Sequence, residues 1–422
     1  MNKRLLATIV PALAVCAGIF GLGGCSKDAL NGVSQEDTIA ERKDIVLTKQ
    51  HEEIISKGNS FTFDFLSEIC SREPDNEIFV SPFSLDVALS MLSNGAKGNT
   101  YTQIASVLGY EGLSKNDINS SYRSLIAAML SADSSTKFTI ANALWLNKGF
   151  PVLPSFASTL SENYNATVDN LDFSSQKALE TVNNWADKNT NGMIPTIFEK
   201  LNPDWVYILA NALYFKGIWA TKFKTDNTYQ EDFHCLSGNS VKVDFMHGEI
   251  HSGYAYDKDL GATLCELPFG NKAFRLDILL PDSEIDFNSF VQSLTAEKWN
   301  KITEKIYDMQ QFVIIPKMDV AFSAKESIKE TLIALGMEDA FDTRANFSAL
   351  SEEPTYVSDI IQKTRFKMDE SGAEAAAVTV VTGKKYDAGP AQEFFADHPF
   401  VYAIREYSTG AILFIGACKN LK

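Results

Sequence analysis

The sequence predicts a mixed α+β fold built on a large buried sheet, and three observations support this prediction. Two apolar runs, KFTIANALWL at 137–146 and VYILANALYF at 206–215, have the length of buried strands. The stretches around 61–69 and 82–95 instead have the spacing of helices with one apolar side. After the N-terminal region, no second linker and no internal repeat interrupts the chain, so these elements are expected to form one large domain.

The composition is that of a folded, acidic protein. Of the 422 residues, 45% are hydrophobic and 11% are aromatic, which is typical of a chain with a sizeable core. Acidic residues outnumber basic ones 54 to 38, and no long basic run occurs. A surface that binds nucleic-acid phosphates is therefore not expected.

The first residues have the three parts of an export signal: a basic start, an apolar stretch and a series of small residues. Pro11 and several glycines argue against a membrane-spanning helix. The ending Leu22-Gly23-Gly24-Cys25 resembles the bacterial lipobox, so we predict that residues 1–24 are removed and that Cys25 carries acyl chains. These chains would anchor an exported protein to the cell envelope without spanning the membrane. The next three residues weakly resemble a signal for lipoproteins exposed on the outer membrane.

The elements follow in order from a predicted tether. Residues 25–57 are polar and show no apolar period, so we interpret them as the lipidated N-terminus and a flexible tether, with the domain occupying 58–422. Phenylalanines from Phe61 onwards predict the first helix. Ser81 and Pro82 can cap and begin the next helix, which is expected to stop at Gly95.

The sequence contains no recognisable catalytic motif. No G-x-S-x-G nucleophile elbow and no phosphate-binding glycine loop is found. His247 and His251 in HGEIH have a metal-compatible spacing, but the glutamate is misplaced for a zinc protease, and surface histidines are favoured. We therefore predict no enzyme, no metal and no cofactor. The four cysteines of the domain allow either disulfides or buried free thiols; they are Cys70, Cys235, Cys265 and Cys418.

Several long segments resemble the serpins, a family of protease inhibitors and non-inhibitory relatives. They are NEIFVSPFSLDVALSMLSNGAKGNTYTQI (76–104), VNNWADKNTNGMIPTIF (182–198), LANALYFKGIWATKF (209–223), IPKMDVAFSAKESIKETLIALGMEDAFD (315–342), YVSDIIQKTRFKMDESGAEAAA (356–377) and FFADHPFVYAIREYSTGAILFIGACKN (394–420). The likeness covers essentially everything after residue 58, in the family's order.

The resemblance implies a serpin fold of three sheets and eight or nine helices, with an exposed reactive-centre loop at about 370–393. It also implies a polar cluster beneath the strands that must separate, formed by Ser81, Ser84 and Asn211, with Trp219 at the top of the gap. Gln362 stands where the family usually has a histidine. Glutamine can both donate and accept hydrogen bonds, although any acid sensitivity from a histidine is lost.

The loop sequence meets the demands of the family's mechanism, in which the cut loop enters the main sheet as a new strand. Alternate residues along a strand face opposite sides, so one side must tolerate burial. That side begins at Ala373 and carries no charge, proline or large side chain, whereas Glu374 falls on the other side. Gly372 permits the backbone to turn. The predicted hinge residues are Glu370, Gly372, Ala373, Glu374, Ala375, Ala376 and Ala377.

The scissile bond has two candidates. In most inhibitory members the residue before it lies sixteen positions after the hinge glutamate, which gives Tyr386 followed by Asp387 and suits a chymotrypsin-like pocket. Cleavage after Lys385 would suit trypsin-like enzymes.

We therefore expect a monomeric suicide-substrate inhibitor of serine endopeptidases, and also of papain-like cysteine endopeptidases. The partners are the target endopeptidase, bound as a covalent acyl complex, and the membrane, through Cys25. One alternative is a non-inhibitory serpin-fold binding or carrier protein on the cell envelope. A more distant one is a lipoprotein that binds glycans through exposed aromatic residues.

Overall fold

The computed structural model describes residues 40–324, 327–358, 360, 362–373 and 392–422. Within these ranges the chain forms nine α-helices and fifteen strands. The helices are α1 (Lys49–Arg72), α2 (Pro82–Gly95), α3 (Gly98–Val107), α4 (Lys115–Leu130), α5 (Pro154–Tyr164), α6 (Gln176–Asn189), α7 (Phe287–Ser293), α8 (Ala296–Thr303) and α9 (Ser327–Ala334). The strands are β1 (Ile78–Val80), β2 (Lys137–Asn147), β3 (Thr167–Leu171), β4 (Tyr207–Lys216), β5 (Thr228–His234), β6 (Ser240–Asp257), β7 (Ala262–Pro268), β8 (Phe274–Pro281), β9 (Tyr307–Pro316), β10 (Met318–Ala324), β11 (Gln362–Asp369), β12 (Gly372–Ala373), β13 (Gln392–Phe395), β14 (Phe400–Glu406) and β15 (Ile412–Cys418).

The strands form three sheets. The largest has nine strands in the order β1-β15-β14-β8-β7-β6-β9-β13, with β5 also paired to β6. Its strands β14 and β15 are buried along their whole length, which their nearly unbroken apolar sequences allow. The prediction of a mixed α+β fold with three sheets is confirmed.

Two smaller sheets lie edge to edge, with a gap between their neighbouring edges. One has the order β3-β2-β4, and the two apolar runs predicted as strands form its antiparallel pair β2 and β4. The other has the order β10-β11-β12. Among the described residues, one isolated bridge joins them, between Ile218 just beyond β4 and Gly372 in β12.

Helix α2 lies behind this gap. Ser81 caps the helix as predicted, because its side chain accepts a hydrogen bond from the Ser84 backbone N–H. The helix packs against β4 and β15 and is itself surrounded by α1, α4 and α5. It is therefore placed to hold strands from two different sheets.

The first helix begins earlier than the sequence predicted. α1 starts at Lys49, where Thr48 and His51 form a reciprocal capping box. Ile54 and Ile55 of this helix are buried in the core. The prediction of a tether through residue 57 is therefore wrong for residues 49–57, whose charged residues obscure a helix with one buried side. None of the helices in the described part of the chain has the length and hydropathy needed to cross a membrane.

Candidate functional site

The predicted polar cluster forms beneath the gap between β4 and β11. The Ser81 hydroxyl donates to the Leu413 carbonyl oxygen of β15 at 2.7 Å. The Ser84 hydroxyl donates to Oδ1 of Asn211, which lies on β4. These two hydrogen bonds fix α2 to the large sheet on one side and to one edge of the gap on the other.

Gln362 binds the other edge of the gap to the same helix. Its Oε1 accepts from the Ser81 backbone N–H at 2.9 Å, and its Nε2 donates to the Ser81 carbonyl oxygen at 2.9 Å. The amide therefore uses both its donor and its acceptor, which a single glutamine side chain can do without any change of charge. Asn211 and Gln362 thus hold β4 and β11 through one short segment of α2.

A chain of polar side chains extends the cluster away from the gap. Asn211 Nδ2 donates to Asn142 Oδ1 on β2 at 2.6 Å, and Asn142 Nδ2 donates to the Tyr164 carbonyl oxygen at 2.7 Å. The Tyr164 hydroxyl continues the chain to Asn119 Oδ1 on α4 at 2.7 Å. Sequence reasoning missed Asn142, although a lone amide inside the apolar run KFTIANALWL was a signal that it needed a partner.

A cavity of about 100 Å³ lies between the two edges of the gap. Ser81, Ser84, Asn211 and Gln362 line its polar end. Apolar side chains of α2, β4 and the α6–β4 connection form most of the remaining wall, among them Leu85, Leu89, Leu92, Ile194, Phe198 and Ile208. The cavity occupies the position that an additional strand would take between β4 and β11.

The start of the predicted loop is already docked in this gap. Gly372 and Ala373 run antiparallel to the end of β11, in the register Asp369↔Gly372 and Met368↔Ala373. Ala373 is only 3% exposed. The prediction that the exposed loop begins at Glu370 is therefore wrong for residues 370–373, which form a buried turn and strand β12.

Gly372 is required at the docking point for two independent reasons. Its φ of +145° lies in a region that side-chain-bearing residues rarely adopt. In addition, a Cβ atom at this position would lie 2.2 Å from the Gly217 carbonyl oxygen. The close approach of the two backbones depends on the absence of a side chain.

Trp219 supports the turn that precedes β12. Its indole stacks on Phe269 with ring centroids 4.6 Å apart, and its Nε1 donates to the Asp369 carbonyl oxygen at 2.8 Å. Its backbone N–H donates to the Ser371 carbonyl oxygen at 3.0 Å. Trp219 therefore lies at the hinge, and the structure does not bring it into the polar cluster, which is eight residues back along the chain at Asn211, roughly 26 Å at strand spacing.

Glu370 is held by an ion pair that the sequence did not reveal. Lys317 Nζ lies 3.1 Å from Glu370 Oε2, and the Thr228 hydroxyl donates to Glu370 Oε1 at 2.7 Å. Burial alone would raise the pKa of Glu370, but the hydrogen bond from Thr228 and the contacts with Lys317 lower it below its ordinary value. The carboxylate is thus ionised at neutral pH and fixes the hinge to β5 and to the β9–β10 junction.

The remaining predicted site residues lie outside the described residues. These are the scissile-bond candidates Lys385, Tyr386 and Asp387, the hinge residues Glu374, Ala375, Ala376 and Ala377, and the lipidation residue Cys25. On the far side of the loop, β13 begins at Gln392 and pairs in parallel with β9.

The histidines and cysteines have structural positions. His251 is exposed on β6, whereas the His247 side chain is only 12% exposed and lies 3.0 Å from Glu231. Of the two alternatives for the cysteines, the structure has buried free thiols at Cys70, Cys235, Cys265 and Cys418. No group of three or more potential metal ligands occurs within the described ranges.

Comparisons with known proteins agree with this architecture. The family model described as "Serpin (serine protease inhibitor)" matches residues 56–421. Iripin-3 of Ixodes ricinus is 32% identical over 82% of this chain and 90% of its own length. The leukocyte elastase inhibitor of Sus scrofa is 31% identical over 86% of this chain and 98% of its own length.

Solved structures with the same fold include proteins with different named roles. The native thermophilic serpin tengpin matches with a TM-score of 0.79 and 28% identity, over 90% of this chain and 97% of its own. Thyroxine-binding globulin in complex with thyroxine matches with a TM-score of 0.78 and 26% identity, over 87% of this chain and 99% of its own.

The three sheets, the gap with its polar cluster and the hinge docked at its edge define a protein of the serpin class. This chain belongs to the serpin family. The family is described by inhibition of proteases and not by catalysis.

Proposed function

We propose that this chain is a suicide-substrate inhibitor of serine endopeptidases, with papain-like cysteine endopeptidases as further targets. The observation that carries the proposal is the docked hinge, because β12 supplies the first two residues of a strand that fits between β4 and β11. After a protease cuts the loop, the residues that follow Ala373 are free to continue this strand. The inhibitor names of the relatives support the same role.

Two independent pairings support one position for the inserted loop. β12 pairs with β11 as Asp369↔Gly372, and with the end of β4 as Ile218↔Gly372. When either register is continued, Thr379 falls in one row with Gln362 of β11 and Asn211 of β4. In the inserted state, both registers would bring the Thr379 hydroxyl to the polar cluster.

The side-chain alternation agrees with this register. Residues directly opposite each other in a sheet face the same side, so Thr379 would face α2 together with Asn211 and Gln362. A hydroxyl can donate to or accept from the amides there, and burial of a polar group with partners avoids the cost of leaving it unpaired.

The opposite face of the inserted strand would be complementary in charge. In the same register, Glu374 falls between Lys367 of β11 and Lys216 of β4. Glu374 is the only acid between Ala373 and Thr382. A carboxylate between two lysines on the outer face of the sheet would add favourable cross-strand contacts.

Insertion would disable a protease that is still attached as an acyl ester. About 15 residues at about 3.3 Å each span roughly 50 Å, which carries the protease along the length of the sheet. Catalysis depends on the alignment of nucleophile, base and oxyanion hole, so pulling the ester out of this alignment prevents its hydrolysis. Tyr386 is our first candidate for the residue before the cut, and Lys385 is the alternative.

A second candidate function is non-inhibitory binding on the cell envelope. The observation that favours it is the match with thyroxine-binding globulin, a protein that has this fold and is named for the ligand that it binds. The absence of a charged or large residue on the inserting side of the loop from Ala373 to Val381 supports inhibition over this alternative.

Incubation of the purified full chain with chymotrypsin and with trypsin, followed by a denaturing gel, tests the proposal. We expect a band at the summed mass that survives boiling. The variant Ala373→Arg places a charge at a buried position and should be cleaved without forming this band. The matched control Val380→Arg places the same charge on the outer face, where Ala210 of β4 would lie opposite it in this register, and should still form the band. Cleavage of the unaltered chain without a complex would favour the binding protein instead.

We also propose that Cys25 carries the lipid anchor that fixes the protein to the cell envelope. Support comes from the lipobox-like sequence alone. Mass spectrometry of the N-terminal peptide from the native host should show acyl groups on Cys25, and a Cys25→Ala variant should be released from membranes.

A further inference from the structure

Helix α2 carries a buried carboxyl group close to the polar cluster. Asp86 lies two residues after Ser84 and is 1% exposed. The Tyr110 hydroxyl lies 2.8 Å from Asp86 Oδ1 and 2.9 Å from Oδ2, and it is 2.7 Å from the Tyr122 hydroxyl. The Ser90 hydroxyl approaches Oδ1 at 3.4 Å. We call Asp86, Tyr110 and Tyr122 the carboxyl–tyrosine cluster.

The cluster joins α2 to its neighbours. Tyr110 follows α3 and Tyr122 belongs to α4, so their hydroxyls connect these elements to α2. On the α1 side, a Cβ atom added to Gly58 would lie 3.0 Å from Asp86 Oδ2, which shows how closely α1 approaches the carboxyl. The carboxyl group of Asp86 therefore lies where α2 meets α1, α4 and the segment after α3.

No cation compensates this carboxyl among the described residues. The titratable groups that face it are Tyr110, Tyr122 and, from α5, Tyr164. Burial raises the pKa of each of these tyrosines well above its ordinary value, so all three stay neutral over the useful pH range. When ionised, Asp86 is a buried charge stabilised by hydroxyl groups alone, which is a costly arrangement.

We propose that Asp86 is a positioning residue for the opening of the gap: the carboxyl–tyrosine cluster holds α2 in place when Asp86 is protonated and releases it when the proton leaves. Because α2 also carries Ser81 and Ser84, its release weakens the hydrogen bonds that close the gap to Asn211 and Gln362. The consequence for inhibition rests on the proposed function, whereas the release of α2 does not.

The direction of the pH dependence follows from the burial of the carboxyl. Burial raises the pKa of Asp86 to about 7, against an ordinary value of 3.8. A group whose pKa is raised by folding contributes stability that is complete below the ordinary value and is lost as the pH rises through the raised value. α2 should therefore be held firmly in mild acid and less firmly above about pH 7.

Hydrogen–deuterium exchange of α2 in the full chain, followed by mass spectrometry between pH 5.5 and 8.5, measures this release. After correction for the intrinsic pH dependence of exchange, we expect α2 to exchange faster as the pH rises, by up to about tenfold per pH unit below the transition. Asp86→Asn keeps the shape and the hydrogen bond from Tyr110 but removes the charge, so its corrected profile should be flat.

Tyr110→Phe gives an independent test if Asp86→Asn fails to fold. Loss of a donor to the carboxylate should raise the pKa of Asp86 further and move the transition to higher pH. A purely structural role for Tyr110 would speed exchange at every pH without moving the transition. His398 also has a raised pKa, but it lies on another part of the fold, so His398→Gln should keep the wild-type profile.

The inference is overturned if Asp86→Asn retains the wild-type pH profile, or if Tyr110→Phe leaves the transition where it was. This failure is distinct from failure of the proposed function, which is read from the boiling-resistant complex with chymotrypsin or trypsin. A chain that forms no such complex but shows a flat Asp86→Asn profile would support the role of Asp86 in holding α2 and refute the inhibitor.

Discussion

Replacement of Gln362 by alanine should open the gap between β4 and β11 with little change elsewhere. The wild-type side chain makes two hydrogen bonds of 2.9 Å, one to the Ser81 backbone N–H and one to its carbonyl oxygen. Ser81 is 1% exposed, so its backbone N–H loses its partner in a site with limited access to water, whereas its carbonyl oxygen still accepts a hydrogen bond from the Leu85 N–H at 3.1 Å. The shortened side chain removes the hydrogen bonds that join β11 to this turn through the Gln362 amide.

The magnitude follows from the cost of unpaired polar groups. An unsatisfied buried donor costs about 1–3 kcal/mol, and water in the adjoining cavity offsets part of this cost for the Ser81 N–H, which leaves about 1–2 kcal/mol. If the hydrogen bonds are broken when the gap opens, Gln362→Ala removes this amount from the opening barrier. Since about 1.4 kcal/mol corresponds to a tenfold change in rate, opening should accelerate by roughly 5- to 30-fold.

The uptake of a synthetic peptide with the sequence of residues 373–382 measures opening directly, because the peptide can add as a strand only when the gap admits it. We expect the variant to take up labelled peptide faster by this factor on a native gel and to unfold at lower denaturant concentration. Gln230→Ala, an exposed glutamine on β5, is the matched control and should behave as the wild type. Uptake by Gln362→Ala within twofold of the wild-type rate would refute the assignment of Gln362 to closing the gap.

Three further predictions concern the hinge and the loop. Because Thr228 and Lys317 lower the pKa of Glu370, its carboxylate stabilises the fold at a pH above the ordinary pKa, and this contribution is lost as the pH falls through the lowered pKa. Glu370→Gln should therefore weaken the pH dependence of the denaturant midpoint between pH 3 and 6. A variant whose midpoint falls with acid as steeply as that of the wild type would contradict this. Gly372→Val should expel β12 at a cost of several kcal/mol, since φ is +145° and a side-chain carbon would meet a backbone oxygen at 2.2 Å, and the measurement is faster exchange of residues 368–373. Tyr386→Ala should abolish the chymotrypsin complex. A chain that instead traps trypsin, and loses that complex in Lys385→Ala, would assign the cut to Lys385.

The local elements were predictable where one physical signal dominated. β2 and β4 are apolar runs too long and too β-branched or aromatic for a turn, and the structure has them as an antiparallel pair. α2 has a capping serine, a proline in its first turn and a terminal glycine, and its bounds agree with these signals. The first part of α1 was missed because tertiary burial of Ile54 and Ile55, rather than a regular apolar period, decides that those residues are helical.

The site was predictable only in part because its geometry depends on contacts between distant segments. The likeness to serpins indicated the serines and Asn211, but the ion pair of Glu370 with Lys317 joins residues 53 positions apart. No local pattern announces such a partner. In the sequence, Asp86 is likewise only an acid within an apolar helix. Its hydrogen-bond partners are tyrosines on other elements, which the sequence pattern of α2 does not indicate.

The two ends of the gap are closed by different contacts. We therefore expect different residues to control the start and the completion of strand insertion. At the hinge, backbone pairing between Ile218 and Gly372 already holds the start of a strand, so insertion does not need to nucleate. Farther from the hinge, the side chains of Asn211 and Gln362 close the gap through their hydrogen bonds to α2. These hydrogen bonds would have to break before a strand could insert. Substitutions at Gly372 should therefore change whether insertion begins, whereas substitutions at Gln362 should change how fast it is completed. In the proposed mechanism, an attached protease would hydrolyse its ester in competition with insertion, so substitutions at Gln362 would set the fraction of encounters that end in a trapped complex.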